Sequence, residues 1–110
     1  MMKIKEFLLI FTFSFLLNNH LSLADEAKMI KGLEIFNETA ACAGCHVLKA
    51  AGSEGNIGPN LDTVEGLNYD SVMDIVTHGL GVMPAFGEDE ILTKDEIDIV
   101  SFYVANSVSK

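Results

Sequence analysis

The sequence predicts a small all-α domain, and three observations support this fold class. Three segments place apolar residues at helical spacing, no segment alternates apolar and polar residues, and the connecting segments are rich in glycine. These connections are longer than a compact domain of this size normally tolerates. We therefore expect them to wrap around a bound group.

The first helix is predicted over residues 25–38, and Gly32 on it lacks a side chain, so that another helix could approach closely. The second helix is predicted over residues 69–78. Its ends are marked by capping residues, namely Asp70 or Ser71 at the start and Gly79 at the stop.

The third helix has the clearest start signal. Thr93 and Glu96 have the spacing of a capping box. Ile97, Val100 and Val104 then follow at helical spacing and predict a buried face.

Residues 1–24 have the layout of a secretory signal peptide. Two lysines precede a mostly apolar run, and Ser22 and Ala24 lie at the small-residue positions of a cleavage site. A retained anchor is the alternative, but eleven residues of helix span only about 16 Å of a hydrocarbon core of roughly 30 Å. We expect cleavage after Ala24, a periplasmic location, and a mature domain of residues 25–110 without a membrane span.

Acidic residues dominate the predicted mature domain. Residues 25–110 carry 5 lysines, no arginine and 15 acidic residues, which gives a net charge of −10. Nucleic-acid binding is excluded, because neutralising phosphates requires Lys and Arg. The charge favours a protein partner with a basic surface, although solubility alone would account for much of it.

Both cysteines lie in the segment CAGCH, residues 42–46, which three chemistries could use: a dithiol redox pair, a zinc site or haem attachment. A dithiol pair needs a neighbouring sheet, which the sequence does not predict. Zinc needs four ligands, and only His46 and His78 remain to join the two thiolates. His46 directly follows Cys45, which is a poor spacing for two ligands of one tetrahedral centre. The segment therefore favours one haem c, bound through thioethers to Cys42 and Cys45, with His46 as an axial iron ligand.

The second axial ligand has four candidates in the mature chain: Met29, Met73, His78 and Met83. The first two lie in predicted helices, where core packing explains them, and His78 ends a helix, where a surface position explains it. Met83 lies in a loop and precedes Pro84, which holds the backbone before it extended. We therefore predict His46 and Met83 as the metal ligands, a pair that leaves no open position on the iron.

Pro59 completes the predicted site. The imidazole of His46 needs an acceptor for its second ring N–H. The carbonyl of Pro59, in the segment GPN, is the candidate acceptor, since this residue has no N–H with which to join a regular ladder.

The mature domain as a whole resembles a class I monohaem cytochrome c of the small bacterial c5/c6-like branch. The matching residues, in order, are Gly32 and Phe36, CAGCH at 42–46, GPNL at 58–61, MPAF at 83–86 and IDIVSFYV at 97–104. The resemblance implies three to four short helices and long loops around one covalent haem. It also implies that the terminal helices cross at Gly32, against Val100 or Tyr103.

The function that the resemblance implies is that of a soluble electron carrier, which cycles iron between Fe(II) and Fe(III) with redox proteins and is not itself an enzyme. One alternative is a dedicated cytochrome subunit of a periplasmic dehydrogenase, for instance one that oxidises sulfite or an alcohol. Another is a haem-based gas sensor or peroxidase-like enzyme, against which Met83 argues. The lack of arginine and tryptophan leaves the haem propionates to backbone, water or four polar side chains, those of Lys49, Asn56, Asn60 and Tyr69.

Overall fold

The structure, a computed structural model, describes residues 23–109. The predicted signal peptide, residues 1–24, lies outside the described residues except for its last two positions, which are helical. Three α-helices and one short hairpin form the described part of the chain. Within it, no helix combines the length and the apolar character needed to cross a membrane.

The first helix leads directly to the cysteine segment. Residues 23–34 form helix α1. Its last turn widens into a π-helical turn, Ile35–Thr39, and the N–H of Ala40 closes this turn by donating to the carbonyl of Ile35 at 2.9 Å. Ile35 and Phe36 are almost fully buried, so the turn anchors the end of α1 in the core.

A short hairpin follows the cysteine segment, which itself contains a 3₁₀ turn at Cys42–Gly44. Strand β1, Val47–Leu48, pairs antiparallel with β2, Ser53–Glu54. The Ser53 hydroxyl accepts a hydrogen bond from the N–H of Leu48 at 2.8 Å. This hairpin was not predicted, because strands of two residues are too short to show alternation.

Helix α2 spans Tyr69–His78, as predicted. Its N-cap, however, is Asn68, and the prediction of Asp70 or Ser71 is wrong. The Asn68 side chain accepts from the N–H of Ser71 at 3.0 Å, and the Ser71 hydroxyl accepts from the N–H of Asn68, also at 3.0 Å. Gly79 ends the helix with a positive φ of 74°, which confirms the predicted stop.

Helix α3 spans Lys94–Ser107, and its predicted capping box is confirmed. Thr93 Oγ1 accepts from the N–H of Glu96 at 3.2 Å, and the Glu96 carboxylate accepts from the N–H of Thr93 at 2.8 Å. The helix buries one broad face, formed by Ile97, Val100, Ser101, Tyr103 and Val104.

Helices α1 and α3 cross at Gly32, as the sequence resemblance implied. A Cβ placed on Gly32 would lie 2.3 Å from the Cβ of Tyr103 and 3.2 Å from the carbonyl oxygen of Ile99. The rings of Tyr103 and Phe36 pack beside the crossing, with centroids 6.0 Å apart. Only a glycine allows this approach without displacing α3.

Polar side chains join the three helices on another face. Asp98 of α3 accepts a hydrogen bond from the hydroxyl of Tyr69 on α2 and forms an ion pair with Lys28 of α1 at 2.9 Å. The Lys28 ammonium also lies 4.7 Å from the ring centroid of Phe102. The pKa of Asp98 is lowered, first by its hydrogen bond from Tyr69 and then by Lys28, so this carboxylate is charged at neutral pH.

Candidate functional site

An apolar cavity of about 470 Å³ lies between the cysteine segment, the long loops and helices α2 and α3. The helices contribute branched side chains to its wall, among them Val72, Val76, Val100 and Val104. None of the residues that the structure shows lining it is Asp, Glu, Lys or Arg. In a chain with 16 acidic residues, a cavity so free of charge is suited to a large apolar group.

Cys42, Cys45 and His46 form one part of the cavity wall. Ala41 adopts a left-handed conformation, with φ of 54°, and starts the tight turn that follows. The carbonyl of Cys42 accepts from the N–H of Cys45 at 3.1 Å and from that of His46 at 3.0 Å. Both thiols are free and partly buried, and burial raises the pKa of the Cys42 thiol to about 11. One turn of chain thus brings two thiols and an imidazole to the same cavity.

The imidazole of His46 is held by the backbone of the segment GPN. Its Nδ1 lies 2.7 Å from the carbonyl oxygen of Pro59, which can only accept, so Nδ1 carries the proton. The N–H of Gly58 donates to the carbonyl of Cys45 at 2.7 Å, and a Cβ on Gly58 would lie 2.5 Å from Cε1 of the ring. The backbone therefore packs directly on the imidazole, and in the neutral tautomer with the proton on Nδ1 the lone pair is on Nε2.

Met83 forms another part of the wall, together with Pro84. A tight turn positions it, since Leu80 and Met83 exchange two backbone hydrogen bonds of 3.3 and 3.0 Å. Gly79 packs beneath this turn, where a Cβ would lie 2.7 Å from the carbonyl oxygen of Met83. The thioether thus belongs to a short, backbone-bonded turn.

The other candidate iron ligands do not line the cavity. Met29 and Met73 pack partly buried against the core, and His78 is exposed with its Nδ1 2.6 Å from Glu88. The structure therefore leaves these three residues outside the cavity wall. It brings together on that wall the five predicted site residues, Cys42, Cys45, His46, Pro59 and Met83.

The four side chains suggested for the propionates do not line the cavity either. The hydroxyl of Tyr69 is bonded to Asp98, and Asn60 Oδ1 accepts from the N–H of Asp62 at 2.9 Å. Lys49 is tied through its backbone N–H to Asp62, at 2.8 Å, with its side chain exposed. These polar groups stabilise loops and helix contacts in the structure.

Four exposed apolar residues at the mouth of the cavity were not predicted. We call these residues the rim: Ile57, Val64, Leu80 and Val82. Ile57 and Leu80 are each 69% exposed and Val82 is 89% exposed. For three of them, Ile57, Leu80 and Val82, the signal in the sequence is the placement of a large apolar residue next to a glycine in a loop, where it serves no helical face. The rim makes the mouth of the cavity apolar as well as its interior.

The donor set fits haem c. A c-type attachment needs two thiols and a neighbouring imidazole in this order, and an iron of the cytochrome c type takes histidine and methionine. The described residues contain no cluster of three or more His, Cys, Asp or Glu that could hold a metal ion. The helical fold and the site together define a c-type cytochrome domain.

Comparisons with known proteins agree with this class. A family model described as "Cytochrome C oxidase, cbb3-type, subunit III" matches residues 27–104, and the chain belongs to this family. The crystal structure of the c-type cytochrome SorU from Sinorhizobium meliloti is similar, with a TM-score of 0.69 and 42% sequence identity. The match covers 77% of this chain and 95% of that chain. No curated protein matches. The chain is thus a mainly helical cytochrome c domain, a class that carries haem and transports electrons.

Proposed function

We propose that this chain is an exported electron carrier with one haem c, joined by thioethers to Cys42 and Cys45 and ligated by His46 and Met83. The observation that carries the proposal is an uncharged cavity whose wall contains two thiols, an imidazole and a thioether. The family match and the likeness to a c-type cytochrome support the haem and the transfer of electrons.

The chain's own residues set the conditions for electron transfer. When bound, haem c supplies one-electron exchange at its iron. The Pro59 carbonyl fixes the tautomer and orientation of His46, and Met83 is a neutral ligand of the kind that raises the reduction potential. The apolar cavity wall keeps water from the site. With His46 and Met83 as its iron ligands, the haem would have no open position for a substrate, so the site favours electron transfer over catalysis.

The rim is the surface through which we propose that electrons enter and leave. It consists of exposed apolar side chains around the mouth of the cavity and carries no charged residue. The predicted mature domain around it has a net charge of −10. A redox protein with an apolar patch surrounded by lysines or arginines fits this combination.

Export is part of the proposal and rests on the layout of residues 1–24. Two basic residues, an apolar run and a small-residue cleavage site are the parts of a secretory signal peptide. The domain would then work in the periplasm. N-terminal sequencing of the purified protein should begin at Asp25.

A visible spectrum of the purified holoprotein tests the proposed ligand set. The reduced protein should show the α-band of a c-type haem, and the haem should stay with the polypeptide on a denaturing gel. The oxidised protein at neutral pH should show the weak charge-transfer band of methionine bound to iron. Absence of that band would overturn the assignment of Met83, and loss of haem on the gel would overturn the thioethers.

Gel filtration at moderate salt separates a free carrier from an enzyme subunit. A monomer supports the free carrier. Stable co-purification with a larger dehydrogenase would instead make the chain a dedicated subunit, with the same haem chemistry.

A further inference from the structure

A side-chain bridge closes the neck of the loop that carries Met83. This loop, residues 79–88, leaves the end of α2 and returns beside it. The N–H groups of Phe86, Gly87 and Glu88 donate to the carbonyls of Val76 and Thr77 over 2.9 to 3.2 Å. His78 Nδ1 lies 2.6 Å from the carboxylate of Glu88, and among the described residues this is the side-chain hydrogen bond that spans the neck.

The bridge adjoins the contacts that place Met83. Gly79 follows His78 directly and packs against the carbonyl of Met83, and Leu80 pairs with Met83 through two backbone hydrogen bonds. His78 and Glu88 therefore hold the two ends of the segment whose middle positions the thioether. Opening the neck would release the backbone on both sides of Met83.

We propose that the His78–Glu88 bridge is a positioning pair, which holds the loop closed and makes the strength of the bond between Met83 and the iron depend on pH near neutrality. The proposal rests on the proposed function, because it requires Met83 to be an iron ligand. His78 itself is not a ligand and lies outside the cavity wall. Two charged groups lie within salt-bridge reach of its ring, those of Glu88 and Asp74. The carboxylate of Asp74 lies 3.6 Å from Nε2. The C-terminal end of α2 also favours a positive charge there.

The direction of the pH effect follows from the contacts of His78. Its pKa is raised above the ordinary value, chiefly by the hydrogen bond to Glu88 and then by the charges of Glu88 and Asp74. The charged bridge is therefore fully present below a pH of about 6.5, the value for an unperturbed histidine. It is lost as the pH rises through the raised pKa of His78. Met83 should be easier to displace from the iron on the alkaline side.

Imidazole binding to the oxidised holoprotein measures this displacement. The experiment compares the wild type with Met83→Ala, in which nothing competes with imidazole, between about pH 5.5 and 8.5, the range in which histidines titrate. The ratio of the two affinities cancels the protonation of imidazole itself. We expect the wild-type affinity for imidazole, divided by that of Met83→Ala, to rise about two- to fivefold across the titration of His78. This fold-change corresponds to the free energy that an exposed ion pair contributes.

Three variants show whether the pair is responsible. His78→Gln and Glu88→Gln should each make the ratio independent of pH, because neither retains a bridge whose charge changes. Asp74→Asn is the matched control, since it removes the other carboxylate near His78 but not the link across the neck. In this variant the step, meaning the rise of the affinity ratio with pH, should persist. A step that survives in His78→Gln, or one that vanishes in Asp74→Asn alone, would overturn the proposal.

The ligand assignment of Met83 and the positioning role of His78 can fail separately. If Met83→Ala binds imidazole no more tightly than the wild type, Met83 is not a ligand and the proposed function fails. If Met83→Ala binds more tightly but the ratio is flat with pH, the ligand assignment stands and the positioning role of His78 is wrong.

Discussion

His46 and Met83 are both positioned by backbone groups. The carbonyl of Pro59 meets the ring of His46, and the backbone at Gly58 packs against it. Met83 is held by a turn that it forms with Leu80 and by contact with Gly79. Backbone atoms have less freedom than side chains, so both groups are preorganised at low entropic cost.

Replacing Met83 with alanine should open the iron without releasing the haem. The thioethers and His46 do not depend on the methionine, whereas the sixth position does. We expect the reduced Met83→Ala protein to bind carbon monoxide readily and the wild type to bind little, as measured by difference spectra with the covalent haem quantified on a denaturing gel. Met73→Ala is the control, because Met73 packs against the core and does not line the cavity. Equal binding by the wild type would contradict the assignment of Met83.

The five site residues predicted from the sequence lie on one cavity wall, whereas the four polar side chains suggested around them do not, for a physical reason. The segment CAGCH and the pair Met83–Pro84 are local patterns with one dominant use each. The roles suggested for Tyr69 and Lys49 depended on long-range contacts, and a sequence does not show that the Tyr69 hydroxyl is bonded to Asp98, 29 residues away. The ligand roles themselves stay predictions until a spectrum tests them.

Among the structural elements, the crossing of α1 and α3 depends on the absence of a side chain at Gly32. In Gly32→Ala, the new Cβ would lie 2.3 Å from the Cβ of Tyr103. Because a Cβ is fixed to the backbone, only a displacement of one helix from the other can relieve this clash. The gain in helix propensity, about 1 kcal/mol, opposes an overpacking cost of about 1–3 kcal/mol or more for such a clash. We expect a net loss of stability, measured as the free energy of unfolding in guanidinium.

A substitution elsewhere on the same helix provides the control. Ile30 is 64% exposed, so Ile30→Ala should change the free energy of unfolding by no more than about 0.5 kcal/mol. Equal stability of Gly32→Ala and the wild type would show that the helices can separate at this point at no cost.

The accuracy of the predicted elements follows from the range of the interactions that define them. The Thr93–Glu96 capping box and the stop at Gly79 use contacts within four residues, and both were read correctly from the sequence. The N-cap of α2 was misplaced by two or three residues, because asparagine, aspartate and serine all cap well and the choice of Asn68 depends on the path of the preceding loop. The π-helical turn at Ile35–Thr39 has no comparable local signal and was not predicted.

At the scale of the whole molecule, the core is arranged around the cavity. Among residues 23–109, eleven apolar side chains are buried, and several of them, including Phe36, Val72, Val76, Val100 and Val104, also line the cavity wall. A domain this small has few other apolar contacts to spare. Under the proposed function, haem completes the core in addition to exchanging electrons.

Removing both attachment sites should therefore unfold much of the domain. In the double variant Cys42→Ser/Cys45→Ser the haem would be held by axial ligation alone, and we expect most of the helical far-ultraviolet circular dichroism to be lost after export. Ala50→Ser, an exposed change in the following turn, is the control and should fold normally. A double variant that keeps wild-type helicity without haem would show that the polypeptide core suffices.

The charge of the whole chain and the neutrality of the rim affect different steps of a partner encounter. Long-range attraction of a basic redox protein depends on the net charge and is screened by salt, with a Debye length of about 30 Å at 0.01 M and about 8 Å at 0.15 M. We expect the second-order rate of electron transfer, measured by stopped flow, to fall at least about tenfold between these ionic strengths. With a small neutral oxidant the rate should be nearly constant.

Two aspartate variants separate the rim from the net charge. Val82→Asp and Ile30→Asp change the charge of the chain equally, but only Val82, 89% exposed, lies at the mouth of the cavity. Long-range attraction of the basic partner should be the same in both variants. A carboxylate at position 82, however, would have to be desolvated on contact with an apolar partner surface, which costs free energy. We expect Val82→Asp to slow transfer about tenfold even at high salt and Ile30→Asp to leave it within about twofold, because only the first charge enters the contact. If the two variants slow transfer equally, the partner docks away from the rim, and electrons leave this domain by another face.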